Sequence, residues 1–249
     1  MHRALSIALA SSALALALFG CSTNPQGSST TTLTAPQTAS GASTVPTLPP
    51  ASDFVSGLSN PYLGFFRGRA FHYRAETADG TEETVVEVTN QTKTIIGVTT
   101  TIVHDQVSLD GSVIEDTFDY YAQDKDGNVW YFGEDSKELD HGTVISTQGS
   151  WLAGENGAQP GIVMLADLKV GTKYQQEFAP GVGEDMAQVK SLTETVSVPY
   201  GSFDNCLQTL EWNPLERGPK ENKYYASGVG LVLETGSGGE RDELISVGR

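Results

Sequence analysis

The chain has 249 residues and a formal net charge of −16, from 15 basic and 31 acidic side chains. That balance excludes nucleic acid and anionic lipid as direct partners and favours solubility, cations or a basic partner. Of the two cysteines, Cys21 follows an apolar leader, so the rest of the chain has Cys206 alone, and packing rather than a disulfide must hold it together.

The leader opens with Met1-His2-Arg3, and Ala4 to Gly20 contains Ala, Leu, Ile, Phe, Ser and Gly without a charge. Those 17 residues stand at the lower limit for a membrane-spanning helix. A basic start, an apolar stretch and small residues before a cut describe a secretory signal peptide over residues 1–20. Leu18-Phe19-Gly20-Cys21 resembles the bacterial lipobox, in which the Cys becomes a lipidated N-terminus. The resemblance implies an extracytoplasmic protein whose membrane partner is reached through the lipid on Cys21. Each buried methylene of such a lipid adds about 0.8 kcal/mol, so several chains anchor the protein without its spanning the bilayer. For a Gram-negative cell the resemblance also implies that Ser22, not an Asp, would not act as an inner-membrane retention signal; the anchoring membrane is the outer or the cytoplasmic one.

Ser22 to Ser52 holds 14 Ser or Thr and 5 Pro among 31 residues and no charged side chain. Such a segment buries too little apolar surface to offset its ordering entropy. Residues 21–55 therefore read as a linker, with a coil reach of about 30 Å.

From Gly68 onward the chain is rich in β-branched and aromatic residues, broken by Asp79-Gly80, Asp110-Gly111 and Asp126-Gly127. Asp-Gly between apolar runs is a strong hairpin signal, because both central residues of a type I′ turn need positive φ. With two-residue loops at these pairs and a turn at Gln91-Thr92, Tyr73 should face Val86 and Val88 should face Ile95. Val107 then faces Ile114, Val103 faces Phe118, and Ala122 faces Tyr131. One sheet face is then apolar, and the other carries Ile96, Val98, Ile102, Tyr121, Trp130 and Phe132.

The second half of the chain repeats the first. GRAFHYR from Gly68 returns as GTKYQQE from Gly171, EVTNQTKTIIGV from Glu87 as QVKSLTETVSVP from Gln188, and YYAQDKDGNVWYF from Tyr120 as YYASGVGLVLE from Tyr224, at offsets of 103, 101 and 104 residues. Ordered matches at nearly constant spacing indicate related units. We expect two antiparallel meanders, over residues 62–151 and 168–248, joined by a Gly-rich connection at 152–167. The fold class is all-β, a β-sandwich or an open barrel.

NPYLGFFRG, YYAQDKDGNVWYFGEDSKE, GAQPGIVM and KYYASGVGLVLE resemble bacterial envelope lipoproteins with TapB-like β domains. The resemblance covers most of residues 60–248 and implies no reaction and no catalytic residues. A looser likeness, in architecture and address, is to the open half-barrels of envelope lipid carriers.

Candidate chemistry is sparse. Asp124 to Asn128 places oxygen ligands at alternate positions like the start of an EF-hand loop, but Gly127 stands fourth and Asp135 occupies the twelfth place, so a turn explains it better. Asp105 and Asp116 should face each other across a ladder, where they could bind a cation or share a proton. His72 should face Glu87, and His104 should have Glu115 and Asp119 as diagonal neighbours, without metal-ligand spacing. Cys206 reads as a buried small hydrophobe. No nucleophile elbow or phosphate loop is present in the sequence. We therefore expect no catalytic residue, no cofactor and no resident metal. The expected function is a non-enzymatic, lipid-anchored envelope protein that binds an apolar ligand through Tyr121, Trp130 and Phe132, or binds an envelope partner. An acidic interaction or scaffold protein is the alternative, and a carboxylate-dependent enzyme or metal-binding envelope protein a third.

Overall fold

The computed structural model describes residues 45–216, 220–236 and 238–248. The expected signal peptide, Cys21 and most of the expected linker lie outside the described residues. A 3-10 turn at Ala51–Asp53 leads into β1 (Phe54–Val55). A first meander follows: β2 (Ala70–Glu76), β3 (Thr81–Ile95), β4 (Val98–Leu109), β5 (Ser112–Asp124) and β6 (Val129–Asp140). The short strands β7 (Thr143–Ser146) and β8 (Trp151–Leu152) fold back on β6, as does β9 (Gln159–Met164). Next come β10 (Lys173–Gln175) and β11 (Glu177–Phe178). The second meander is β12 (Met186–Val198), β13 (Gly201–Trp212), β14 (Glu221–Ala226), β15 (Gly230–Thr235) and β16 (Arg241–Gly248).

These strands form one antiparallel sheet that curls into a nearly closed barrel, in the order β10-β12-β13-β14-β15-β16-β2-β3-β4-β5-β6-β9-β11, with β1 added on β5 and β7 and β8 on β6. The halves are built alike. Gly68 N–H donates to Val88 O at 2.8 Å and Val88 N–H to Arg69 O at 2.8 Å; at the same places in the second half, Gly171 N–H donates to Val189 O at 2.8 Å and Val189 N–H to Thr172 O at 2.9 Å. Two seams join the halves. One is the β16–β2 ladder, running from Gly248 opposite Ala70 to Asp242 opposite Ala75. The other is short: only Glu177 opposite Pro160 and Phe178 opposite Gln159 link β11 to β9. Because β10 runs into β11 through Gln176, one stretch of chain edges the second half and closes the first.

The registers correct several expectations. Asp110 (φ 48°) and Gly111 (φ 80°) form the expected two-residue turn between Leu109 and Ser112, but a bulge follows, so Val107 faces Glu115 and Val103 faces Asp119. The second turn lies at Ile96 (φ 42°) and Gly97 (φ 87°), not at Gln91-Thr92, so Val88 faces Val103 and Ile95 faces Val98. A β-branched residue at positive φ is strained, which is why the sequence hides this turn. The first hairpin has a longer loop, placing Tyr73 opposite Thr84 and Phe71 opposite Val86. That shift of two residues keeps the apolar face. At the third hairpin Gln123 pairs with Val129, so Ala122 faces Trp130 and Tyr121 faces Tyr131. A one-residue slip of this kind exchanges faces.

The core lies inside the barrel, around Phe71, Tyr73, Val88, Val103, Tyr121 and Tyr131. In the segment before β2, Leu58, Leu63 and Phe65 are buried, and Phe65 packs with its ring centroid 5.5 Å from Tyr121 and 6.1 Å from Phe71. Gly64, at φ 71°, makes this packing possible: a Cβ there would lie 2.0 Å from Val229 O. The end of the expected linker belongs to the body, since Phe54–Val55 pairs with β5. Phe54 finds an aromatic bed there, 5.6 Å from Phe132 and 6.3 Å from Trp130 between ring centroids.

Candidate functional site

Period-two alternation on the curled sheet sends several carboxylates inward. Asp105, Asp119, Glu177, Glu234 and Asp242 are all buried, and Lys223 is buried among them. Its Nζ lies 3.2 Å from Glu211 Oε2 and 3.7 Å from Glu234 Oε2. Burial comes first among the causes that drive these carboxyls up, with neighbouring carboxylates adding to it. Asp105 is raised by burial, Asp119, Glu115 and Asp242, although Lys223 opposes them. Asp119 is raised to about 7 by burial and by Glu115, against the hydrogen bond from Tyr131, whose hydroxyl donates at 2.6 Å. Asp185 is raised to about 6, again chiefly by burial. The interior thus holds acids in a largely proton-retaining setting.

An open cleft of about 300 Å3 lies beside the short seam. The buried Tyr120, Trp151 and Ala158 make its floor, and Ala179, Pro180 and Val182 also line it. The close approach that builds it needs glycine. At Gly133, φ 130°, a Cβ would lie 2.3 Å from Trp151 O, so only glycine lets β8 lie on β6 here. Trp151 is fixed by its indole N–H, which donates to Glu177 Oε2 at 2.8 Å, and by an edge-on contact with Tyr131 at 5.4 Å. Lys93, Glu134, Asp135 and Glu155 supply charge at the cleft, and the Lys93 ammonium sits 4.1 Å above the Tyr120 ring.

The residues singled out from sequence fall elsewhere. Tyr121 and Trp130 occupy adjacent ladder pairs and therefore opposite faces. Tyr121 stacks on Tyr131 at 4.9 Å inside the barrel, whereas Trp130 and Phe132 pack under Phe54. Their exposures of 0%, 2% and 0% offer no ring face to solvent. Asp105 and Asp116 do not meet, because the bulge after Val107 puts Asp105 opposite Thr117 and Asp116 opposite Gln106. Asp105 points into the core. Asp116 takes hydrogen bonds on the other face from His104 Nε2 at 2.7 Å and Gln106 Nε2 at 3.3 Å. Burial pushes Asp116 up, but those bonds outweigh it and hold its carboxyl below the usual range.

His104 faces Glu87 and Phe118, and its ring stacks on Phe118 at 4.4 Å. His72 faces Val85 and Ser246. Among the described residues no group of three or more His, Cys, Asp or Glu is arranged to hold a metal ion. Asp124 is occupied as the organiser of its turn: it accepts from the N–H groups of Asp126 and Asn128, the Asn128 amide, and the Trp130 indole at 2.8 Å. Cys206 is fully buried. Burial, with Asp204 and Glu194 nearby, pushes its thiol up, away from a reactive thiolate.

No family model matches the chain, and no curated protein sequence matches it. Two solved structures are similar in fold outline. One, described as an exported protein with a YmcC-like fold from Bacteroides fragilis NCTC 9343, has 14% identity and a TM-score of 0.44, over 77% of this chain and 100% of that one. The other, described as a lipoprotein from Parabacteroides distasonis ATCC 8503, has 10% identity and a TM-score of 0.41, over 76% of this chain and 99% of that one.

Sequence reading missed the cleft because its parts come from β3, β5, β6, the turn around Glu155 and the turn after β11. The one available signal was the density of Gly around Trp151, in GSWLAGENGAQPG, which marks close backbone approach as well as loop.

Proposed function

We propose that this chain is an exported, lipid-anchored protein of a bacterial envelope that serves as a non-enzymatic binding module. The address rests on the signal peptide, the lipobox ending at Cys21 and the neutral linker, and the likeness to envelope lipoproteins with TapB-like β domains points the same way. One observation carries the binding role: the cleft of about 300 Å3 beside the short seam, with an apolar floor and a polar rim, is the kind of concavity that holds a small ligand. Because Tyr121, Trp130 and Phe132 are packed without an exposed ring face, the ligand site in this reading is the cleft instead.

Detergent phase partition of cells expressing the full chain tests the address. Wild type should enter the detergent phase and Cys21→Ser the aqueous phase; equal partition of both contradicts the anchor. Blocking the cleft with Ala158→Trp and comparing ligands retained in native mass spectrometry tests the role. A ligand retained equally by wild type and variant would place binding elsewhere.

A further inference from the structure

The cleft is unevenly charged. Glu134, Asp135 and Glu155 line it against Lys93 alone. Behind the floor, Glu177 holds the Trp151 indole, and Asp185 and Glu134 lie close enough to perturb Glu177. Lys137 reaches Asp135 at 3.3 Å but is not part of the lining. An anion entering here would meet carboxylates on most sides, whereas a cation would be drawn in by the rim and by the field of a chain carrying −16.

The chain itself already places an ammonium on this floor. Lys93 Nζ lies 4.1 Å above the Tyr120 ring, a distance at which the negative face of an aromatic ring attracts a cation. Tyr120 is 5% exposed, so the Lys93 side chain shields a ring that would otherwise face the cleft. Lys93 is set on β3 near the Ile96-Gly97 turn, and the Tyr120 ring is the partner of its ammonium.

We propose that the cleft binds an organic cation, a primary ammonium carried on an apolar body, with Lys93 as the internal stand-in that the ligand displaces from Tyr120. The apolar body lies on Trp151, Leu152 and Val182, and the ammonium is shared between the Tyr120 face and the carboxylates of the rim. This rests on the reading of the cleft as the ligand site. A free amine and a lysine side chain of another polypeptide present the same chemistry.

Calorimetric titration of the mature chain at low salt, with benzylamine, benzyl alcohol, benzoate and a doubly capped lysine, separates these possibilities. Benzylamine should bind about tenfold more tightly than benzyl alcohol, and benzoate should not bind, as a cation on an aromatic and acidic site requires. Lys93→Met should tighten benzylamine about threefold by removing the internal competitor, and Glu155→Gln should weaken it about threefold. Capped lysine matching benzylamine assigns the polypeptide source; benzylamine alone assigns the free amine. If benzyl alcohol equals benzylamine and both respond to Ala158→Trp, the cation preference is wrong while the cleft remains the ligand site. If Lys93→Met weakens benzylamine, or if benzoate binds and loses affinity in Lys93→Met, the stand-in role is overturned. Silence of all four probes in every variant overturns the cleft reading together with the proposal.

Discussion

Asp119→Asn should make the protein more stable, and only at neutral and alkaline pH. Asp119 is 2% exposed, accepts a hydrogen bond from Tyr131 at 2.6 Å, and is raised from 3.8 to about 7, first by burial. Across that interval the folded chain keeps a proton that the unfolded chain has lost, so stability falls as pH rises. The contribution is complete below pH 3.8 and gone above about 7. At about 1.4 kcal/mol per pH unit, the loss is about 4 kcal/mol, an upper figure because nearby acids titrate together. Asparagine keeps the oxygen that Tyr131 needs and has no charge to bury. Urea unfolding at pH 4 and pH 8 should therefore show the two chains alike at pH 4 and the variant ahead at pH 8 by up to about 4 kcal/mol. Wild type itself should be more stable at pH 4 than at pH 8, with Asp185, raised to about 6, adding in the same direction. A variant destabilised equally at both pH values, or a wild type that gains stability toward pH 8, would refute the argument.

Three further outcomes follow from single contacts. Lys223→Met removes the cation between Glu211 and Glu234 and should cost about 3–5 kcal/mol at pH 8, with a smaller loss at pH 4, where burial keeps the Glu234 carboxyl protonated; denaturant midpoints at the two pH values read this directly. Ile96→Asn relieves a β-branched residue at φ 42° and creates an Asn-Gly turn, which should stabilise by about 1 kcal/mol, seen as a higher thermal midpoint. Gly64→Ala would put a methyl 2.0 Å from Val229 O at φ 71° and should cost about 2 kcal/mol or more. Because Phe65 is then displaced from Tyr121, the near-ultraviolet circular dichroism should change with it.

The meanders were readable because period-two alternation and Asp-Gly pairs act locally. Asp110-Gly111 formed the expected turn between Leu109 and Ser112. What failed was register, since bulges after Val107 and between Asp119 and Tyr121 leave no mark in composition. Each miss had a definite cost: one bulge separated Asp105 from Asp116, and one slip sent Tyr121 inward and Trp130 outward. The closing of the sheet was not readable either. It depends on Glu177 reaching Pro160 and Gly248 reaching Ala70, pairings of distant segments that no local pattern specifies. The buried acids looked like ordinary surface charge, because a barrel interior and a solvated face have the same alternation.

The two seams differ in how the barrel can breathe. Along β16–β2 the ladder pairs six residues of β2, from Ala70 to Ala75, across one bulge, so opening there must break many more bonds. Along β9–β11 only two positions pair, and one of them is Pro160, which has no N–H to give. Thermal opening will concentrate at that margin, and its amides will exchange with solvent before those of the opposite margin. The cleft lies on this hinge line. Whatever occupies it would act as a clasp on the barrel, holding closed the side that the backbone alone holds least.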